Sequence, residues 1–160
     1  MAIQIGDKVP SATFMHMGPD GPAPMTSDDV FGSGRVAFFA VPGAFTPTCS
    51  AKHLPGYKER AAELRAKGVD KIVCTSVNDV FVMDAWGKSQ DAGDDILMLA
   101  DGNGEFAKAA GLELDASGFG MGARSQRYAM VVKDGIVEKV FVEEGGEFKV
   151  SSADYLLDNL

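Results

Sequence analysis

Cysteine and histidine are scarce in this chain. Among 160 residues there are two of each: Cys49 and Cys74, His16 and His53. Two cysteines cannot build a disulfide framework, and a chain of this length does not need one. The same counts argue against a zinc site of four Cys or His ligands unless carboxylates or a second chain contribute. They also disfavour a Cys-His hydrolase, whose base would have to be one of only two residues. Basic charge is short as well. Fifteen Lys and Arg against twenty-three Asp and Glu leave a net charge of −8, so there is no basic face for nucleic-acid phosphates or an anionic membrane. Long apolar runs are absent, and the longest, from Val36 to Val41, is far below the roughly 20 residues that cross a bilayer. The start, Met1 to Asp7, has neither a basic nor an apolar leader segment, so the expectation is a soluble, cytoplasmic protein. An apolar share of 46% with 24% charged residues points to one globular domain over 1–160.

What is present is an alternation of strand and helix signals. Pro10, Pro19, Pro22 and Pro24 with Gly18 and Gly21 mark a turn-rich opening around a short hairpin. The continuous apolar runs Arg35 to Val41, Lys71 to Val77 and Ile96 to Ala100 fit strands buried on both faces of a sheet. Leu54, Tyr57, Ala61 and Leu64 recur at helical spacing, and Gly68 ends that helix. Pro55 is expected to kink it. Asn78 or Asp79 caps a second helix, and a short third one runs near Glu105 to Ala110. After a Gly-rich stretch from Leu114 to Arg124, two β-rich runs, Tyr128 to Val132 and Ile136 to Val142, flank Asp134-Gly135, a type I′ hairpin signal. Ser151 to Asp154 resembles a capping box before a last amphipathic helix. Strands separated by helices imply parallel pairing. The predicted fold is therefore α/β and thioredoxin-like, with a central mixed sheet, a C-terminal antiparallel hairpin and helices on both faces.

Cys49 follows the first buried strand and opens a helix, at the carboxyl end of a strand where α/β sheets bind ligands. Unpaired N–H groups and the macrodipole there favour thiolate over thiol. An unperturbed thiol is only roughly 3% ionised at pH 7. The alternative is an inert buried thiol, the usual fate of a free cysteine. Pro42, Thr46 and Pro47 stiffen the preceding loop, which plain turn chemistry also explains.

Pro42, Thr46 and Cys49 form a P-x-x-x-T-x-x-C pattern that resembles the peroxiredoxin active-site signature. The resemblance extends over nearly the whole chain. Val41 to Ser50, Ser76 to Val82, and Arg127 to Val132 running on to Asp134-Gly135 look like the type II peroxiredoxins, the subfamily of the plant type II enzymes and the mammalian fifth isoform. The resemblance implies a thiol-dependent peroxidase acting on hydrogen peroxide and alkyl hydroperoxides in antioxidant defence, with no metal or prosthetic cofactor. Cys49 resembles the peroxidatic nucleophile that becomes a sulfenic acid. Thr46 resembles the residue whose hydroxyl bonds peroxide and thiolate, Pro42 the proline that shields the cysteine, and Arg127 the arginine that holds both. Topology agrees about Arg127, because an antiparallel strand beside the first parallel strand begins where that strand ends. Arg124 is the alternative cation and a candidate for the pocket rim. The family's homodimer would place Phe45, Phe81, Phe119 and Arg124 at its contact.

Cys74 lies in mid-strand and reads as a packed thiol, although the resemblance also allows it to be a resolving thiol. The mammalian isoform resolves with a cysteine near the C-terminus, where this chain has Glu147 to Ser151 and no cysteine. That absence favours an external reductant, glutathione with glutaredoxin, or thioredoxin. His53, four residues after Cys49, could lie one helical turn away and tune the thiolate, but it reads rather as a solvated helix residue. Two other readings compete with the peroxidase. A thioredoxin-like disulfide reductase needs a second thiol three residues from the first, and Ser50 to Lys52 supplies none. A redox sensor or chaperone would use Cys49 stoichiometrically.

Overall fold

The computed structural model describes residues 2–160. The opening segment is a true hairpin, β1 (Thr13–Gly18) with β2 (Gly21–Thr26), followed by the short helix α1 (Ser27–Phe31). Next come β3 (Arg35–Ala40), a π-helical turn (Cys49–His53), α2 (Leu54–Glu59), α3 (Ala61–Ala66), β4 (Lys71–Ser76) and α4 (Val80–Ser89). The chain continues through β5 (Leu97–Ala100), α5 (Glu105–Ala109), β6 (Glu113–Asp115) and β7 (Ala123–Ser125), and closes with β8 (Tyr128–Lys133), β9 (Ile136–Val142) and α6 (Ala153–Asp158). Seven strands form one sheet in the order β2-β1-β5-β4-β3-β8-β9. β3, β4 and β5 pair in parallel, while β8 runs antiparallel to both β3 and β9. This is the mixed sheet of a thioredoxin-like fold.

Local chemistry explains both the predicted elements and the missed ones. Asp134 and Gly135 take φ of 49° and 84°, the double left-handed turn that matches strand twist in a tight hairpin. Prolines survive in β2 because it is an edge strand with no outer neighbour. The sequence pattern misses α1, whose five residues are too few to show periodicity. Thr26 and Asp29 nevertheless form a reciprocal capping box there. The Gly-rich stretch is not all loop, because β6 and β7 pair across it. The last helix is capped by Ser152, whose hydroxyl accepts from the Tyr155 amide. Ser151 turns inward instead and bonds the Glu143 carboxylate.

Both sheet faces are covered. Neighbouring residues on a strand point to opposite faces, so Phe38 and Phe39 enter different cores. Phe38 joins Phe14, Phe31 and Phe106 at centroid spacings of 5.2 to 6.3 Å. Phe39 packs with Cys49, Leu54, Tyr57, Cys74 and Trp86. Each large apolar side chain so buried contributes roughly 1.5–3 kcal/mol. Ala40, the last residue of β3, sits opposite Tyr128, the first of β8. Arg127 therefore arrives at the sheet edge where the Cys49 loop departs.

Candidate active site

Cys49 is fully buried at the start of the π-helical turn. The wide turn is closed by the Leu54 amide donating to the Cys49 carbonyl, five residues back. Pro55 has no N–H to offer the Ala51 carbonyl, so the regular ladder cannot run unbroken through this point. The expected disturbance at Pro55 is thus realised one turn earlier, around the cysteine itself, as π-bulges often are at functional sites. The turn is anchored from outside by Trp86, whose indole N–H donates to Ser50 Oγ at 2.9 Å.

Arg127 reaches this turn from the start of β8. Its Nη2 donates to Cys49 Sγ at 3.0 Å, and its Nη1 donates to His53 Nδ1 at 2.8 Å. His53 is therefore no solvated helix residue: it is fully buried, packed at a tilt against Phe39 and Phe148 with ring centroids 4.8 and 4.9 Å away. Its other nitrogen, Nε2, lies 3.0 Å from the Ser151 carbonyl. Because a guanidinium only donates and a carbonyl only accepts, the tautomer follows: Nδ1 is bare and Nε2 carries the proton. Burial, followed by the Arg127 charge, pushes the His53 pKa down to about 3, against the opposing pull of the Ser151 carbonyl. The ring is thus neutral around pH 7 and serves Arg127 as a fixed acceptor.

Thr46 donates its hydroxyl proton to the Gly43 carbonyl at 2.7 Å, rather than to the thiol. Its oxygen lone pairs are left to accept a proton from a ligand. Pro42 is half-buried at the loop entrance. The loop is drawn tight by the Ala44 amide donating to Asn78 Oδ1 at 2.9 Å. It also forces Phe45 to a φ of 63°, a left-handed conformation unusual for a bulky residue. At Gly43 a methyl group would lie 3.1 Å from Met121 Cε and 3.2 Å from Thr46 Cγ2, so a larger residue would make both side chains give by a few tenths of an ångström.

Arg124 does not reach the sulfur. Its Nε and Nη1 are spent on the Met121 and Val77 carbonyls at 2.9 and 3.0 Å, which ties the rim loops together. Phe45, Phe81 and Phe119 stand in those same rim segments, 55%, 64% and 87% exposed. Cys74 is buried in β4 opposite Phe39 and is a free thiol, as Cys49 is. Burial, helped by the nearby Cys49, raises its pKa well above the usual thiol value, although Arg127 pulls the other way. Three groups that the sequence pattern did not single out complete the site: Glu143, Phe148 and Ser151. None lies within 15 residues of Cys49, so no local spacing could have flagged them.

The chain matches the Redoxin family model over residues 4–157. It is 52% identical to peroxiredoxin-2E-2, chloroplastic, of Oryza sativa subsp. japonica, over 99% of this chain and 72% of that one. It is 48% identical to peroxiredoxin-2B of Arabidopsis thaliana, over 99% and 98%. This chain belongs to the type II peroxiredoxins. Among solved structures, reduced Prx3 of Vibrio vulnificus in complex with H2O2 superposes with a TM-score of 0.94 at 50% identity, covering 98% of each chain. As a type II peroxiredoxin the protein is a thiol-dependent peroxidase: a hydroperoxide is its substrate and a thiol its reductant. Peroxiredoxins work by cysteine redox chemistry without a prosthetic group, in keeping with a site made of one sulfur and its hydrogen-bond donors.

Proposed function

We propose that Cys49 is the peroxidatic cysteine and that Arg127, Thr46 and Pro42 shape the reaction around it. The observation that carries this reading is the 3.0 Å bond from Arg127 to a buried sulfur. Ionised, Cys49 attacks the terminal oxygen of the hydroperoxide. An S–O bond forms, the O–O bond breaks, and the sulfur loses two electrons to become a sulfenic acid. The departing alkoxide takes up a proton and leaves as an alcohol, or as water when the substrate is hydrogen peroxide. Thr46 accepts the hydrogen bond of the attacked O–H group and so aligns the O–O bond with the sulfur. Arg127 donates to the sulfur and to the oxygens on which charge accumulates, which is where fixed donors lower a barrier most. Pro42 keeps bulk water from the sulfenic acid.

Recovery then needs two reducing equivalents. One thiol displaces water from the sulfenic acid to give a mixed disulfide, and a second thiol releases Cys49. Cys74, held inside β4 with its pKa raised by burial, is a poor nucleophile. No cysteine lies between Glu147 and Ser151. We therefore assign recovery to glutathione with glutaredoxin. Cys74→Ser is expected to turn over at the wild-type rate with this pair, measured as coupled NADPH consumption. A Cys74→Ser enzyme that stops after one turnover would make Cys74 the resolving thiol instead.

Phe45, Phe81 and Phe119 are exposed, and hydrogen bonds from Ala44 to Asn78 and from Arg124 to Val77 tie the segments that carry them together. Exposed apolar patches of this kind mark interaction sites, and we infer a homodimer closed across them. Phe119→Glu is expected to halve the mass seen by sedimentation at micromolar concentration. An unchanged mass would move the interface elsewhere.

A further inference from the structure

The turn at residues 148–151 forms the back wall of the arginine site, and one carboxylate organises it. Glu143 is only 8% exposed. Its Oε2 accepts from the Lys149 amide at 2.7 Å, the Ser151 amide at 2.8 Å and the Ser151 hydroxyl at 2.6 Å. Burial alone would raise its pKa, but the bonds from Ser151, Lys149 and Val150 outweigh it and hold the carboxyl below the usual range. The Ser151 carbonyl is thereby aimed back into the protein, where it accepts from Tyr57 Oη at 2.8 Å and lies 3.0 Å from His53 Nε2. Glu143 also grips the strand that carries the arginine, because its amide donates to the Arg127 carbonyl at 2.9 Å. An unbroken series of contacts runs from Glu143 through Ser151, His53 and Arg127 to Cys49.

We propose that Glu143 is a positioning residue of the peroxidase reaction: by clamping the 148–151 turn it fixes His53, and through His53 the guanidinium that faces the sulfur. The physical need is clear from the donors. Arg127 has five N–H groups and a long flexible stem, and a free rotor of that kind would lose orientation entropy each time it met the transition state. His53 can hold it only while its own ring is held, and among the described residues the one polar contact of that ring besides Arg127 is a backbone carbonyl. A carbonyl in a loop keeps its direction only if the loop does. A negative charge accepting three bonds is a strong clamp for such a loop, because charge-assisted bonds are the stronger ones.

The proposal rests on the roles given above to Cys49 and Arg127, and the experiment separates the two. The second-order rate constant with hydrogen peroxide is measured for wild type, Glu143→Gln, His53→Leu and the double variant, each confirmed folded by its thermal melt. Glu143→Gln is expected to slow the reaction roughly 10- to 100-fold, the scale of an ångström-sized misplacement. Its Cys49 should also alkylate more slowly with iodoacetamide at a fixed pH. The double variant should be no slower than His53→Leu alone, because coupled residues are not additive. If Glu143→Gln keeps the wild-type rate, or if the two losses multiply, the proposal is overturned, since a purely structural carboxylate would lower the melting temperature without feeding through His53. Should Glu143→Gln be unfolded at the assay temperature, Glu143→Asp keeps the charge, shortens the reach and enters the same cycle. Cys49→Ser and Arg127→Gln test the underlying reading, so their inactivity beside an active Glu143→Gln would remove the Glu143 role alone.

Discussion

Cys49→Ser is expected to abolish peroxide reduction, with the loss at least ~10³-fold, because a serine hydroxyl is not ionised near neutrality and is a weak nucleophile without an adjacent base. Among the described residues, the side chain bonded to Cys49 is a guanidinium, which is no base. The one imidazole nearby, His53, has its bare nitrogen occupied by Arg127, and its basicity is suppressed. The substitution removes little packing, since oxygen replaces sulfur at a buried position, so the melting temperature should fall only slightly. Peroxide consumption in the presence of a thiol and glutaredoxin is the measurement. Turnover persisting at a tenth of the wild-type rate would transfer the chemistry to another group and undo the assignment of Cys49. It would also revive the reading of the cysteine as a stoichiometric sensor.

The second large effect is expected at Arg127. Arg127→Gln should lower the second-order rate constant by about 10²–10³-fold, the usual cost of removing one donor aimed at developing charge. Arg127→Lys should recover only part of this. A lysine carries the charge but lacks the fork that lets one side chain donate at once to Cys49 Sγ at 3.0 Å and to His53 Nδ1 at 2.8 Å. The reaction can be followed without labels, because Trp86 is the only tryptophan, fully buried and hydrogen-bonded to Ser50 beside Cys49. Stopped-flow fluorescence against peroxide concentration yields the constant. An Arg127→Gln enzyme within threefold of wild type would show that positive charge at the sulfur is dispensable.

These two effects share an origin in how the fold spends its polar groups. The face of the sheet that carries Cys49 is otherwise apolar, with Phe39, Tyr57, Leu54 and Trp86 all fully buried. A cation set against such a wall is screened less than one in water. Arg127 meets the ring of Phe148 on one side, 5.9 Å from its centroid, and bonds the neutral His53 on another, and among the described residues it forms no ion pair that would compete with the sulfur for its charge. Glu143 acts from one step away, through the Ser151 amide and hydroxyl rather than against the guanidinium itself.

Much of this was legible in the residues themselves. Uninterrupted apolar runs announced β3 and β4, Asp134-Gly135 announced the hairpin of β8 and β9, and the Pro42, Thr46, Cys49 spacing singled out one sulfur of two. The direction of β8 even predicted which edge Arg127 would occupy. The helical periodicity after Cys49 is real, but it does not show the burial of His53, because the groups that cover that ring, Arg127, Phe148 and Ser151, are distant in the chain. Short elements such as α1, β6 and β7 escaped because three to five residues cannot display a period.

The amino-acid order by itself determined the architecture and singled out Cys49 as the candidate sulfur, since strand and helix patterns and the Pro42, Thr46, Cys49 spacing are all local in the chain. Only the folded molecule decided what holds Arg127. Arg127 is 74 residues from His53 and 78 from Cys49, while His53 is 98 from Ser151. Hydrogen bonds over such separations leave no periodic trace, because each depends on where two independently formed elements come to rest.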